Sequence, residues 1–281
     1  MSVDKIETIG QSVVQHGKAN DRVYLMKLEV EECPAIIEQV EKLAVQNDYG
    51  KIFAKIPSTA QEVFEQAGYT LEASIPGFYQ GTDTGVFLAR YLKEQRRIDP
   101  DAEQVTQVLK AAHLKAEAGA APDLNTPYQC RIAAAPDCAK MAEVYAEVFA
   151  SYPFPIHDPE YLRQTMEENV VYAGIWEDDR LLALASAEMD RAGQNAEMTD
   201  FATLPECRGR GMAHQLLHRL EQNLPKQGIE TCYTIARATS FGMNITFSQC
   251  GYTFGGTLVQ NTQISGGLES MNVWFKPAPQ P

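Results

Sequence analysis

The chain has 281 residues, 37 acidic against 24 basic, for a formal charge of −13, with 44% hydrophobic and 22% charged residues. That hydrophobic share excludes a disordered chain, and at roughly 100–200 residues per domain the length fits one large domain or two modest ones. The acidic balance argues against nucleic acid as a partner, because neutralising phosphates over a wide surface needs a Lys/Arg-rich face.

The six cysteines, Cys33, Cys130, Cys138, Cys207, Cys232 and Cys250, form no Cys-x-x-Cys pair, so a reduced, cytoplasmic chain with buried thiols is expected. The first residues carry acids where a signal peptide would be apolar. The longest largely apolar run, Leu181 to Ala187, is far below the ~20 residues that cross a bilayer. No export signal and no membrane partner are expected.

Two β-rich runs from Ser12 to Lys27 flank Gly17-Lys18-Ala19-Asn20 and predict a hairpin. A helix follows from Pro34 to Gln46, with Ile36, Ile37, Val40, Leu43 and Ala44 at helical spacing. Next come a strand (Ile52 to Lys55), a helix (Thr59 to Gln66) stopped by Gly68, strands from Thr70 to Ile75 and Val86 to Tyr91, and a helix from Asp101 to Glu117. The small-residue, Pro-containing stretch that follows reads as a linker. Beyond it a strand (Tyr128 to Ala133), a helix begun by Asp137, a helix from Pro159 to Glu168 and three strands are predicted, Val170 to Trp176, Leu181 to Met189 and Ala196 to Thr203. A glycine-bearing loop, Arg208 to Gly211, opens a helix to Asn223. A strand (Thr231 to Arg237), a helix (Ser240 to Gln249) and two strands (Thr253 to Val259, Met271 to Phe275) complete the chain.

The halves share a repeat. Phe64-Glu65-Gln66-Ala67-Gly68-Tyr69-Thr70 and Phe247-Ser248-Gln249-Cys250-Gly251-Tyr252-Thr253 agree at five of seven positions, inside the same order of strand, helix, glycine stop, strand, strand. Duplication of one α/β unit explains both. The expected domains are residues 1–120 and 128–281, joined by a linker at 121–127.

The loop Arg208-Gly209-Arg210-Gly211 is short, and its glycines let main-chain amides approach a ligand without a Cβ in the way. The helix it opens offers first-turn N–H groups and about half a positive charge, a place suited to an anion such as a phosphate. The loop lacks the Gly-Lys-Ser/Thr ending of a P-loop and the full Gly-x-Gly-x-x-Gly dinucleotide fingerprint. With no further context, a loop that only caps its helix is the competing reading.

Arg208-Gly209-Arg210-Gly211-Met212-Ala213, preceded by a β-strand and Leu204-Pro205-Glu206, resembles the acetyl-CoA pyrophosphate loop of the GNAT superfamily of N-acetyltransferases, Gln/Arg-x-x-Gly-x-Gly/Ala. The order of elements from Tyr128 to Phe275 resembles that fold too. The resemblance implies an α/β (α+β) GNAT fold, a mixed, mostly antiparallel sheet flanked by helices, preceded by a degenerate, truncated GNAT-like half. It implies acetyl-CoA as cosubstrate, held at its pyrophosphate by amides from Gly209 to Ala213 beside Arg208 and Arg210, with Phe201, Ala202 and Thr203 pairing with the pantetheine arm. Ser240, Asn244 and Phe247 are further candidates on the cofactor side. Phe247 stands where many relatives carry a tyrosine acid, so Tyr233, Tyr252, a water or unassisted departure of the thiolate takes that role. In the N-terminal half the corresponding stretch, Lys27 to Pro34, has no glycine and three glutamates, and is expected not to bind the cofactor.

An amine nucleophile must lose a proton, so a carboxylate beside the thioester is expected as base. Glu197 and Asp200 lie on the strand before the loop; strict alternation sets them on opposite faces, with only one toward substrate, and a bulge in the strand would decide which. Glu188 is a third candidate acid. His214 and His218 are four apart on a helix, but no third ligand is suggested, and no metal is predicted. The blocks Glu197 to Thr203, Gly251 to Ile264 and Met271 to Trp274, with Ala54 to Pro57 and Ile75 to Tyr79, resemble the β-lysine N-acetyltransferases over nearly the full length. That resemblance implies acetylation of the terminal amine of β-lysine, a small-molecule substrate that makes a compatible solute. Tyr79, Glu188, Arg237 and Asn261 are the substrate-binding candidates. Another amine, a non-catalytic acyl-CoA sensor and assembly as a homodimer stay open at this point.

Overall fold

The computed structural model describes residues 4–117, 128–150, 152, 154–264 and 266–279. In chain order these form β1 (Lys5–Ile9), β2 (Ser12–Gly17), β3 (Arg22–Lys27), α1 (Ala35–Gln46), β4 (Lys51–Pro57), α2 (Gln61–Gln66), β5 (Thr70–Tyr79), β6 (Asp83–Tyr91) and α3 (Ala102–Glu117). There follow β7 (Gln129–Ile132), α4 (Cys138–Val148), α5 (Pro159–Glu168), β8 (Val170–Glu177), β9 (Arg180–Asp190), β10 (Asn195–Thr203), α6 (Met212–Asn223), β11 (Thr231–Arg237), α7 (Phe241–Gln249), β12 (Thr253–Ile264) and β13 (Gly267–Pro277). β1 is the strand the sequence pattern misses: it is short and half exposed, with no alternation to mark it. The linker expected at 121–127 lies outside the described residues.

Two compact units result, and they do not follow chain order. The first comprises Met1–Thr106, Arg237–Thr239 and Phe254–Val273; the second comprises Gln107–Ala236, Ser240–Thr253 and Trp274–Pro281. The half expected to begin at residue 128 thus gives part of β12 and β13 to the first unit.

In the first unit the strands run β1-β2-β3-β4-β6-β5-β12-β13. β3 and β4 are parallel and joined through α1, whose Ile36, Ile37, Val40 and Ala44 pack into a core with Leu25, Ile52, Ile56, Phe64 and Leu88. Gly256 pairs with Ala73, the residue at the same place in the repeat, and a Cβ on Gly256 would lie 2.1 Å from the Glu72 carbonyl oxygen; the close approach of the two backbones requires glycine there.

Three buried cations fix β12 in this unit. Lys51 donates to the Val259 carbonyl at 2.7 Å and pairs with Glu72 at 2.8 Å. Arg96 donates to the Gln260 carbonyl at 2.8 Å, and Arg22 to that of Asn261. Glu72 also accepts from the Val259 amide at 3.0 Å and from the Tyr91 hydroxyl. Buried charges are tolerated only when hydrogen-bonded in this way, so the cluster ties three successive carbonyls to the N-terminal chain.

In the second unit the order is β11-β10-β9-β8-β7, antiparallel except for the parallel pair β10–β11. The register assigns its faces. Tyr172, Ser186 and Thr199 are cross-strand partners on one face, and α5 reaches it through Thr165 Oγ1, 2.9 Å from the Tyr172 hydroxyl. Cys130 and Ile175 pair on the other, where the Cys130 thiol meets the Gln215 carbonyl of α6. β9 is therefore buried on both sides from Leu181 to Ala187, its run apolar rather than alternating as that situation demands.

Candidate active site

β10 and β11 pair through Asn195–Thr231, Ala196–Cys232 and Glu197–Tyr233, after which Thr234 Oγ1 donates to the Met198 carbonyl at 2.7 Å and no further ladder pair forms. The fork between the strands opens at Glu197. Its Oε2 accepts from the Tyr233 hydroxyl at 3.2 Å.

Just past the fork the β9–β10 register shifts between Thr199 and Ala202, and Asp200 sits in the left-handed region with φ 54°. This bulge overturns the expectation that Glu197 and Asp200 face opposite ways. Thr199 shares Glu197's face and pairs with Ser186; the Ser186 hydroxyl donates to Asp200 Oδ2 at 2.8 Å and Thr199 Oγ1 to Oδ1 at 3.2 Å. The extra residue has turned the Asp200 side chain back onto the Glu197 face, as bulges do when they re-aim a side chain. Glu188, directly opposite Glu197 on β9, shares that face and is exposed.

Tyrosines surround this acid face. Tyr152 donates its hydroxyl to Asp200 Oδ1. Tyr145 of α4 is fully buried, and its hydroxyl has no hydrogen-bond partner among the described residues. Burial, then the charge of Asp200, pushes both phenols well above the usual tyrosine range, so both stay protonated. Neither Tyr152 nor Ser186 is marked by a sequence motif; they meet Asp200 through the bulge and the helix packing.

At the end of β10 the loop runs into α6 with Gly209 at φ 75° and Gly211, the N-cap, at φ 78°. Glycine serves here for the positive φ and not for crowding, since a Cβ on either would meet nothing within 4 Å. No side chain caps the helix, and the amides from Gly209 to Ala213 donate to no carbonyl or side chain among the described residues. Five consecutive free donors at a helix N-terminus, with open space above them, suit a polyanion. Arg208 and Arg210 are exposed beside them; Arg210 is held by the Tyr128 hydroxyl at 2.9 Å and the Glu206 carbonyl at 3.0 Å.

On α7, Phe247 is fully buried and edge-on to Phe201 at 5.6 Å and to Tyr252 at 5.1 Å. Of the two tyrosines considered in its place, Tyr233 bonds Glu197, whereas Tyr252 is buried beside Cys232 and Glu221 under Lys276, and burial raises its phenol well above normal. Ser240 caps α7 through the Met243 amide at 3.5 Å, and the buried Asn244 accepts from Trp274 Nε1 at 2.8 Å while donating to the Ser240 carbonyl at 2.7 Å. His214 bonds Gln249 at 3.0 Å and His218 bonds Gln222 at 2.8 Å.

The other substrate candidates belong to the first unit. Arg237 makes a two-pronged bond to Glu269 at 2.6 and 2.7 Å, Asn261 is buried with its carbonyl taken by Arg22, and Tyr79 packs edge-on against Phe78 at 4.9 Å. Among the described residues no helix is long and apolar enough to cross a membrane.

Residues 139–252 match the Acetyltransferase (GNAT) family. The chain belongs to that family and is an acetyl-CoA-dependent N-acetyltransferase. It is 36% identical over 277 residues to the beta-lysine N(6)-acetyltransferase of Methanococcus maripaludis, covering 98% of this chain and 99% of that one. N-acetyltransferase YodP of Bacillus subtilis is 34% identical over 277 residues, with 94% and 95% covered. The beta-lysine N(6)-acetyltransferase of Methanosarcina mazei is 32% identical over 258 residues, with 84% and 94% covered.

Proposed function

We propose that this enzyme acetylates the N6 amine of β-lysine, with the main-chain amides from Gly209 to Ala213 on the cosubstrate's pyrophosphate, residues 201–203 along its pantetheine arm, and Glu197 as the base. The substrate follows two relatives that carry that name and cover 98% and 84% of this chain. The observation that carries the chemistry is the fork itself: Glu197 and Asp200 share one face where β10 and β11 part, on the strand that leads into the five free amides.

Acetyl-CoA supplies an activated acetyl group. The protein has to supply a neutral amine. A lysine-like ammonium has a reference pKa near 10.4, so freeing it at pH 7 costs about 4.6 kcal/mol unless a base accepts the proton as attack proceeds. Glu197, at the vertex of the fork, is placed to accept it, and the Tyr233 hydroxyl orients the carboxylate. Of the pair considered to replace the family's tyrosine acid, Tyr233 is the one that bonds Glu197.

CoA release measured with β-lysine, lysine and spermidine tests the reading. Turnover with β-lysine alone supports it; preference for another amine replaces the substrate, and acetyl-CoA binding without any turnover replaces the catalytic reading by a sensor.

A further inference from the structure

The Asp200 carboxylate receives three hydroxyl donors, from Tyr152, Ser186 and Thr199, and no lysine, arginine or histidine among the described residues forms an ion pair with it. Hydroxyl dipoles stabilise a carboxylate without neutralising it. The neighbourhood adds no positive charge either: Glu197 acts on Tyr152 beside Asp200, and Glu188 acts with Asp200 on Tyr161 of α5. A half-buried anion among phenol rings, without a cation, is matched by a ligand cation, which aromatic faces also favour.

The second observation is Tyr145. Its hydroxyl is completely buried, makes no well-formed hydrogen bond among the described residues, and is close enough to Ser186 and Asp200 for both to act on it. A buried unsatisfied hydroxyl weakens a fold, and native structures rarely keep one without a use. The Tyr69 and Tyr252 hydroxyls are unpartnered too, but that of Tyr145 stands beside the Asp200 cluster, where a polar ligand completes it.

We propose that Asp200, with the hydroxyls of Tyr152, Ser186 and Tyr145, binds the ammonium of the substrate that does not react, while Glu197 serves the one that does. An ammonium has three N–H donors and no acceptor. Asp200 offers carboxylate oxygen, and each hydroxyl that donates to Asp200 keeps a lone pair to accept from the ammonium. The inference rests on the β-lysine reading, because β-lysine carries a second ammonium four carbons from the reacting nitrogen. It makes Asp200 a determinant of specificity for diamines over monoamines.

The test compares β-lysine with 6-aminohexanoate, which keeps the reacting amine and the carboxylate but lacks the second ammonium, at saturating acetyl-CoA. The wild-type enzyme is expected to favour β-lysine by about 100-fold in kcat/KM. Asp200→Asn keeps the shape and removes the charge; it is expected to cut that preference by about 100-fold, through KM for β-lysine. Tyr145→Phe removes only the orphan hydroxyl, so thermal stability should hold or rise while KM for β-lysine increases about 5-fold. An equal loss of kcat on both amines in Asp200→Asn would make Asp200 the base and overturn the proposal. So would a β-lysine KM within twofold of wild type in both variants. A wild-type enzyme that turns over neither amine removes the β-lysine reading and this proposal together, whereas wild-type preference for β-lysine that survives both substitutions removes this proposal alone.

Discussion

The two copies of the repeat differ most where a strand hands over to a helix. In the C-terminal copy β10 passes through a glycine loop into α6 and leaves the amides from Gly209 to Ala213 without acceptors. In the N-terminal copy β3 passes through Glu29, Glu31 and Glu32 to Pro34, which has no N–H to offer, before α1 begins. There Glu32 is occupied by its own chain, accepting from the Gln11 amide at 2.7 Å and from the Ser12 hydroxyl at 2.6 Å. The strands differ likewise: β3 and β4 pair through four residues, while β10 and β11 pair through three and then part. Nor, among the described residues, does the N-terminal copy have counterparts of β7, α4 and α5, the segment that brings Tyr145 and Tyr161. One scaffold thus occurs twice, once with the strand-to-helix turn closed by its own glutamates and a proline and once with that turn's amide donors left for a ligand.

The sharpest way to break the comparison is to give the working loop the acid of the idle one. Gly211→Glu should raise the Kd for acetyl-CoA beyond about 1000-fold by calorimetry, because a carboxylate then occupies the helix N-terminus and meets the pyrophosphate. Tm should fall by only a few degrees, the cost of a non-glycine residue at φ 78° being about 1–2 kcal/mol. Glu32→Gln, the mirror experiment, should leave the Kd unaltered. Retained binding in Gly211→Glu would remove the loop assignment.

Next in size is the buried cation cluster of the N-terminal copy. Lys51→Met strands the Glu72 carboxylate in the interior, and breaking a buried pair from one side costs about 3–5 kcal/mol, read as a lower urea midpoint. A loss under about 1 kcal/mol would mean that the carbonyls of residues 259–261 do not depend on this cluster. Glu197→Gln comes third, with kcat lowered about 100-fold and acetyl-CoA affinity unchanged; unchanged kcat would move the base elsewhere on the face.

These tests also divide what sequence reveals from what it hides. The element order, the loop and the start of α6 were legible because each rests on a local signal: apolar periodicity for the first, and for the other two glycines that take positive φ. The facing of Asp200 was hidden, since a single bulge residue reverses an alternation that otherwise holds from Asn195 to Thr199. Assignment of 254–273 to the first unit was hidden for another reason. Its anchors, Lys51, Arg96 and Arg22, bind main-chain carbonyls, which carry no residue-type signature. Nothing in the sequence marks Tyr145, and only the packed structure shows its buried hydroxyl beside Asp200.

The smallest expected effect concerns the segment that only the C-terminal copy has. Asp137 stands at the start of α4, and accepts from both Arg131 nitrogens at 2.7 and 2.8 Å and from the Ala134 amide at 2.8 Å, while the Arg131 guanidinium lies 3.7 Å over the Trp176 ring. The Arg131 bond holds the Asp137 carboxyl below its ordinary value. A carboxylate with a folded-state pKa below its unfolded one binds fewer protons folded, so its contribution is complete above the ordinary value and is lost as pH falls through the folded one. With solvent screening at this partly exposed pair the contribution is about 1 kcal/mol. Asp137→Asn should therefore be less stable than wild type by that amount at pH 7 in urea titrations, and the gap should close as the pH falls below the ordinary carboxylate range and through the lowered folded-state value. A gap that stays constant with pH would show that the Asn variant lost packing of β7 against α4, and that the charge of Asp137 contributes nothing to holding the segment.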